Sequence, residues 1–77
     1  MPAAYVLFNV EAGSEDQVLK DAKSIEGVQE ACVSYGVYDL VSKVKTDSMG
    51  QLKELVTRRL RKIKNVRSTL TLMLTDE

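Results

Sequence analysis

Of the acidic residues in this sequence, Asp39 has the most suggestive surroundings, in the run Tyr35-Gly36-Val37-Tyr38-Asp39-Leu40. Gly36 reaches positive φ without the Cβ clash that stops other residues, and Asp39 can bond nearby backbone N–H groups while leaving a charge at a loop edge. Such residues make an ordinary turn, and on a loop they can also rim a polar binding site. The other groups able to move a proton are Glu11, Glu30, the lysines and the tyrosines, and no two of them stand in a recognisable catalytic motif. Histidine is absent and Cys32 is the only cysteine, which removes the usual zinc clusters and any internal disulfide. Within a strand-like run, Cys32 reads as a small apolar residue. There is no glycine-rich phosphate loop and no nucleophile elbow, and no cofactor is implied. Arg58, Arg59, Arg61, Lys62 and Lys64, followed by Arg67, form a basic cluster. Without aromatic residues between them for base stacking, these cations read as the solvated end of a helix, complementing its dipole.

A chain of 77 residues buries only about 60% of the surface that it exposes when unfolded, so subunit association is the expected source of extra stability. The formal net charge is zero, and no global field draws the chain to nucleic acid or to a membrane. No apolar run approaches the ~20 residues that span a bilayer, and Met1-Pro2-Ala3-Ala4 lacks the features of a secretion signal. The expectation is a soluble, cytoplasmic protein of one domain over residues 1–77, since no linker or low-complexity tract divides it.

Periodicity supplies the elements that must hold the turn. In residues 4–11, Ala4, Val6, Phe8 and Val10 alternate with Tyr5, Leu7, Asn9 and Glu11, which predicts a strand with one wholly apolar face. Ser14 stands where it can cap a helix, with Gln17 placed to complete a capping box and Val18, Leu19, Ala22 and Ile25 at helical spacing behind it. Gly27 is the expected helix stop. Residues 28–35 and 38–45 read as a hairpin around Gly36. Thr46-Asp47-Ser48 offers a second cap, followed by the stripe Met49, Leu52, Leu55, Val56, Leu60 and Ile63, with Asn65 suited to a left-handed exit. In the last run Leu70, Leu72 and Leu74 alternate with Thr69, Thr71, Met73 and Thr75.

The order strand, helix, strand, strand, helix, strand predicts a ferredoxin-like α+β domain of the dimeric α+β barrel type, with both helices on one face of a four-stranded antiparallel sheet. The leucines of the last strand, with Val6 and Phe8, are expected beneath the helices. Tyr5, Leu7, Asn9, Cys32, Met73 and the threonines are then left on an open face. That mixture is too apolar for water, and packing against a second copy is the expected remedy.

This order of elements, the Gly36-x-x-Asp39 turn after a strand ending in Tyr35, and the final Val66-Arg67-Ser68-Thr69-Leu70-Thr71 strand resemble the effector-sensing RAM domain of the Lrp/AsnC (leucine-responsive, feast/famine) transcription regulators. The resemblance covers nearly the whole chain. It implies a homodimer formed through the sheets, assembly of dimers into octameric or decameric rings, and a small effector, usually an amino acid, bound in clefts between dimers. Residue 4 already begins the first strand, so the chain resembles a stand-alone RAM protein without the helix-turn-helix half. Full-length regulators of the family are then candidate partners, and direct DNA binding is not expected. By the same resemblance Tyr35, Gly36, Tyr38 and Asp39 line the cleft, Asp39 facing the effector's ammonium group or fixing the loop, and Ser68, Thr69 or Thr71 offer hydroxyls. A free amino acid needs an acceptor at one end and donors at the other, and both kinds are present. From another class, dimeric ferredoxin-like barrels also include small isomerases and cofactor-free monooxygenases, but the catalytic inventory here is poor.

Overall fold

Alternation of apolar side chains builds the central strand β1 (Ala3–Val10), where Ala4, Val6, Phe8 and Val10 are all buried. The structure, a computed structural model, describes residues 1–74. After β1 come α1 (Glu15–Lys23), β2 (Val28–Val33), β3 (Leu40–Lys45), α2 (Met49–Glu54) and, beyond a π-helical segment (Leu55–Leu60), β4 (Val66–Leu74). The strands form one antiparallel sheet in the order β2-β3-β1-β4, the expected ferredoxin-like arrangement. Val18 and Ala22 of α1, with Leu52, Leu55, Val56 and Leu60 of the second helical stretch, join the inward residues of β1 and β3 in a single core. Both helices therefore pack on the same face of the sheet, as expected. Ser42 is the polar exception in that core; its hydroxyl donates to the Val6 carbonyl at 3.0 Å, which offsets the cost of burying it.

Several local expectations change. Ser14 precedes α1 but makes no side-chain cap; Gln17 instead donates to Asp21 Oδ2 at 2.6 Å and accepts from Asn65 Nδ2 at 2.8 Å. The reciprocal cap forms at α2, where Gln51 N–H donates to Ser48 Oγ at 3.2 Å and Gln51 Oε1 accepts from Asp47 N–H at 3.1 Å. Helix α1 ends at Ser24, and Gly27 (φ +101°) serves the turn into β2. The hairpin strands are shorter than the pattern suggests, because Ser34 to Asp39 belong to the loop. Asn65, with φ 74°, takes the expected left-handed conformation. The second helix does not stay α-helical: Arg61 N–H reaches the Val56 carbonyl, five residues back, at 3.0 Å.

The largest correction concerns β4. Thr69 pairs with Phe8, Thr71 with Val6 and Met73 with Ala4, so these three share the helix-side face. Leu70 pairs with Leu7, Leu72 with Tyr5 and Leu74 with Ala3, which puts the leucines on the open face. A strand's alternation tells which residues share a face but not which face is covered. The open face thus carries Tyr5, Leu7, Asn9 and Cys32 as expected, joined by Leu70 and Leu72 rather than by Met73 and the threonines. Thr75 lies outside the described residues.

Candidate functional site

The loop between β2 and β3 closes where Val33 pairs with Leu40, and Asp39 ties it to β1. Ser34 N–H donates to the Asp39 carbonyl at 2.8 Å, closing the loop on itself, and Asp39 N–H donates to the Phe8 carbonyl at 2.8 Å. The Asp39 carboxylate accepts the Val10 N–H through Oδ2 at 2.9 Å. Asp39 therefore extends the β3–β1 pairing by one residue ahead of Leu40, where β3 begins, and holds that end of the loop. At the tip, Tyr35 and Val37 are 96% and 84% exposed, while Tyr38 is half-buried. Gly36 has φ +151°, and a Cβ there would meet nothing within 4 Å, so glycine is needed for backbone angle and not for room.

Ser68, Thr69 and Thr71 fall elsewhere. They sit on β4, on the other side of β1 from Asp39: at the level of Phe8, Asp39 binds from one side and Thr69 pairs from the other. Two strand spacings of about 4.8 Å each separate them. The seven residues expected to share a site thus form two groups, a loop and a strand.

The β4 group opens onto a groove of about 680 Å³ between β4 and the second helical stretch. Its floor includes Leu52 and Val56, and its walls carry the hydroxyls of Thr57, Thr69 and Thr71, while Ser68 lines its end with a hydroxyl that accepts from Asn9 Nδ2 at 3.4 Å. Lys53, Arg61 and Arg67 supply three cations, and among the described residues no carboxylate lines it. Sequence reasoning had placed Arg61 and Arg67 only in a solvated basic cluster and had passed over Lys53 and Thr57. The available signal was Lys53, Thr57 and Arg61 recurring every fourth residue, a spacing that gathers side chains on one helix flank.

On the opposite flank of the same stretch lies a second cleft, of about 820 Å³, between the α1–β2 turn and the β3–α2 loop. Here Lys45, Arg58 and Arg59 are interleaved with Glu26, Asp47 and Glu54. Of the basic cluster, Arg61 and Arg67 thus line one concavity and Arg58 and Arg59 the other, so these four arginines are not gathered into one stripe. Among the described residues, no group of His, Cys, Asp and Glu side chains is placed to hold a metal ion, and no helix is long and apolar enough to cross a membrane.

Residues 3–77 match the family model of the Lrp/AsnC ligand binding domain. The chain belongs to the Lrp/AsnC family. FFRP-DM1 has a crystal structure that is 35% identical to this Lrp/AsnC domain, with a TM-score of 0.93, the match covering 97% of this chain and 100% of that one. A hypothetical protein from Pyrococcus horikoshii is likewise 35% identical, with a TM-score of 0.93 and coverage of 100% and 93%. A transcriptional regulator from Neisseria meningitidis, solved as a complex with L-Met, shares the fold at 13% identity, with a TM-score of 0.84 over 99% of this chain and 51% of its own. Among curated proteins, none matches. In this Lrp/AsnC domain, family membership and geometry agree on a regulatory, ligand-binding module.

Proposed function

We propose that this domain senses a small polar effector, an amino acid, and couples its binding to assembly with further copies of itself, without a DNA-binding surface of its own. The observation that carries this reading is the open face of the sheet. Tyr5, Leu70 and Leu72 are 38%, 42% and 47% exposed there, side by side across β1 and β4, with Leu7 and Val41 between them and the hairpin. A contiguous apolar patch of that kind on a small domain is the mark of an interface, and a second copy offers a matching sheet. The homodimer is the basic unit of this proposal, and a ring of dimers its larger form.

The loop is then a half-site. Tyr35, Gly36, Tyr38 and Asp39 offer backbone groups, two phenols and a carboxylate. The exposed tip gains cover only from a neighbouring subunit. Ser68, Thr69 and Thr71 lie away from the loop in their own chain and enter the same site only through such a neighbour. The complex of the Neisseria regulator with L-Met supports the amino acid class. The division of the cations between two clefts supports an indirect role at DNA, exerted through full-length regulators of the family.

Sedimentation velocity at micromolar concentration, with and without mixed amino acids, tests the assembly; a monomer under both conditions would refute it. Calorimetry with an amino acid panel tests the site. Asp39→Asn removes the charge yet keeps an oxygen for the Val10 N–H, and the expected outcome is a folded protein that has lost its amino acid affinity. Undiminished binding by this variant would remove Asp39 from the site.

A further inference from the structure

We infer that the groove between β4 and the second helical stretch binds ligands within a single chain, without the loop, and is selective for small organic carboxylates that have an apolar body and no ammonium group. At about 680 Å³ its volume falls within the range of about 300–1,000 Å³ usual for small-molecule sites. Its chemistry is one-sided. Lys53, Arg61 and Arg67 face it together with neutral hydroxyls, and Glu54 is the only acid in the sequence between Lys53 and Arg67. Glu54 lines the other cleft.

Among the described residues, neither Lys53 nor Arg61 meets a carboxylate. Arg67 holds Glu11 only loosely, at 3.8 Å from Nε, with both side chains well exposed. Three cations converging on one hollow repel each other, and an anion between them relieves that repulsion while accepting charge-assisted hydrogen bonds. An amino acid brings the same carboxylate with a cation beside it, and among the described residues the groove lining has no acidic group to receive it. The floor decides the rest of the molecule: buried Leu52 and Val56 reward an apolar body, which inorganic phosphate lacks. A branched α-keto acid or α-hydroxy acid satisfies every wall.

The inference does not rest on the loop half of the proposed effector site, because none of Tyr35, Gly36, Tyr38 and Asp39 lines the groove; the two share only Ser68, Thr69 and Thr71 of β4. The test is a backbone-amide NMR titration of the whole chain with the α-keto acid that carries leucine's side chain, run beside leucine and inorganic phosphate. The keto acid is expected to shift amides of β4 and of the π-helical segment and, read at those amides, to bind at least about tenfold more tightly than either comparison ligand. Arg61→Gln should weaken it by about tenfold or more, while Arg58→Gln, in the opposite cleft, and Asp39→Asn leave it unchanged. Leucine or phosphate binding at the groove amides as tightly as the keto acid, shifts confined to other surfaces, or wild-type affinity in Arg61→Gln overturns the inference. Loss of keto acid binding in Asp39→Asn also overturns it, by returning the ligand to the loop.

Discussion

The two flanks of the second helical stretch are built from similar materials and come out chemically opposed. On the flank toward β3, every cation has an acid in the same cleft, with Lys45, Arg58 and Arg59 set among Glu26, Asp47 and Glu54. On the flank toward β4, the cations Lys53, Arg61 and Arg67 have hydroxyls for company and an apolar floor. A neutral net charge for the whole chain hides this division. Local imbalance, and not overall charge, decides where an anion settles, since screening confines such fields to about 8–10 Å at ordinary salt.

The comparison can be broken most forcefully from below. Leu52→Ala removes the fully buried side chain under the β4 groove and should cost about 2–5 kcal/mol in denaturant unfolding, with the groove deepened and the opposite cleft untouched. Gly27→Ala attacks the other side. Its Cβ would lie 2.9 Å from Leu55 Cδ2 at a backbone φ of +101°, and the expected loss is about 1–3 kcal/mol. Asp39→Ala lies outside both clefts and serves as their control. It strips the Val10 N–H of its acceptor and should destabilise the protein by about 1–2 kcal/mol, with faster hydrogen exchange at Val10. Glu11→Gln removes the partner of Arg67 at a cost below about 1 kcal/mol. Its more telling effect is expected in the groove, where anion affinity should rise and fall away again with added salt. The smallest change in stability belongs to Arg58→Gln and Arg61→Gln, each within about 0.5 kcal/mol of wild type by thermal melting, so that any difference between them in anion binding reflects the flank and not the fold.

The fold was legible because its signals are redundant. The apolar face of β1, the stripe behind Ser48, the turn at Gly36 and the exit at Asn65 each specify an element, and together they admit one common topology. The face of β4 was not legible. Leu70, Leu72 and Leu74 look like core because leucine is usually buried, yet on this edge strand the inner side meets a groove where threonine and methionine suffice, while the leucines face outward. Burial statistics assume that the chain's own atoms do the covering, and an interface violates that assumption. The loop site was half legible. Asp39 drew notice as a carboxylate at a turn, and the structure gives it two hydrogen bonds to β1 that the sequence alone could not reveal, since Phe8 and Val10 are about thirty residues distant in the chain. The cap expected at Ser14 fails for a related reason, while that at Ser48 forms. Both Ser14 and Ser48 stand before a glutamine at the right interval, and only the pull of Asn65 and Asp21 on Gln17 distinguishes them.

The wide turn from Leu55 to Leu60 has a consequence for how this surface can change over generations. A π turn holds one residue more than the α-helical path it replaces. Excision of a single codon there would let the turn relax to ordinary α-helix, the bulge giving up its extra residue while everything downstream keeps its orientation. A lineage could thus shorten the wall shared by the two hollows by one residue in one step, keeping every strand in place.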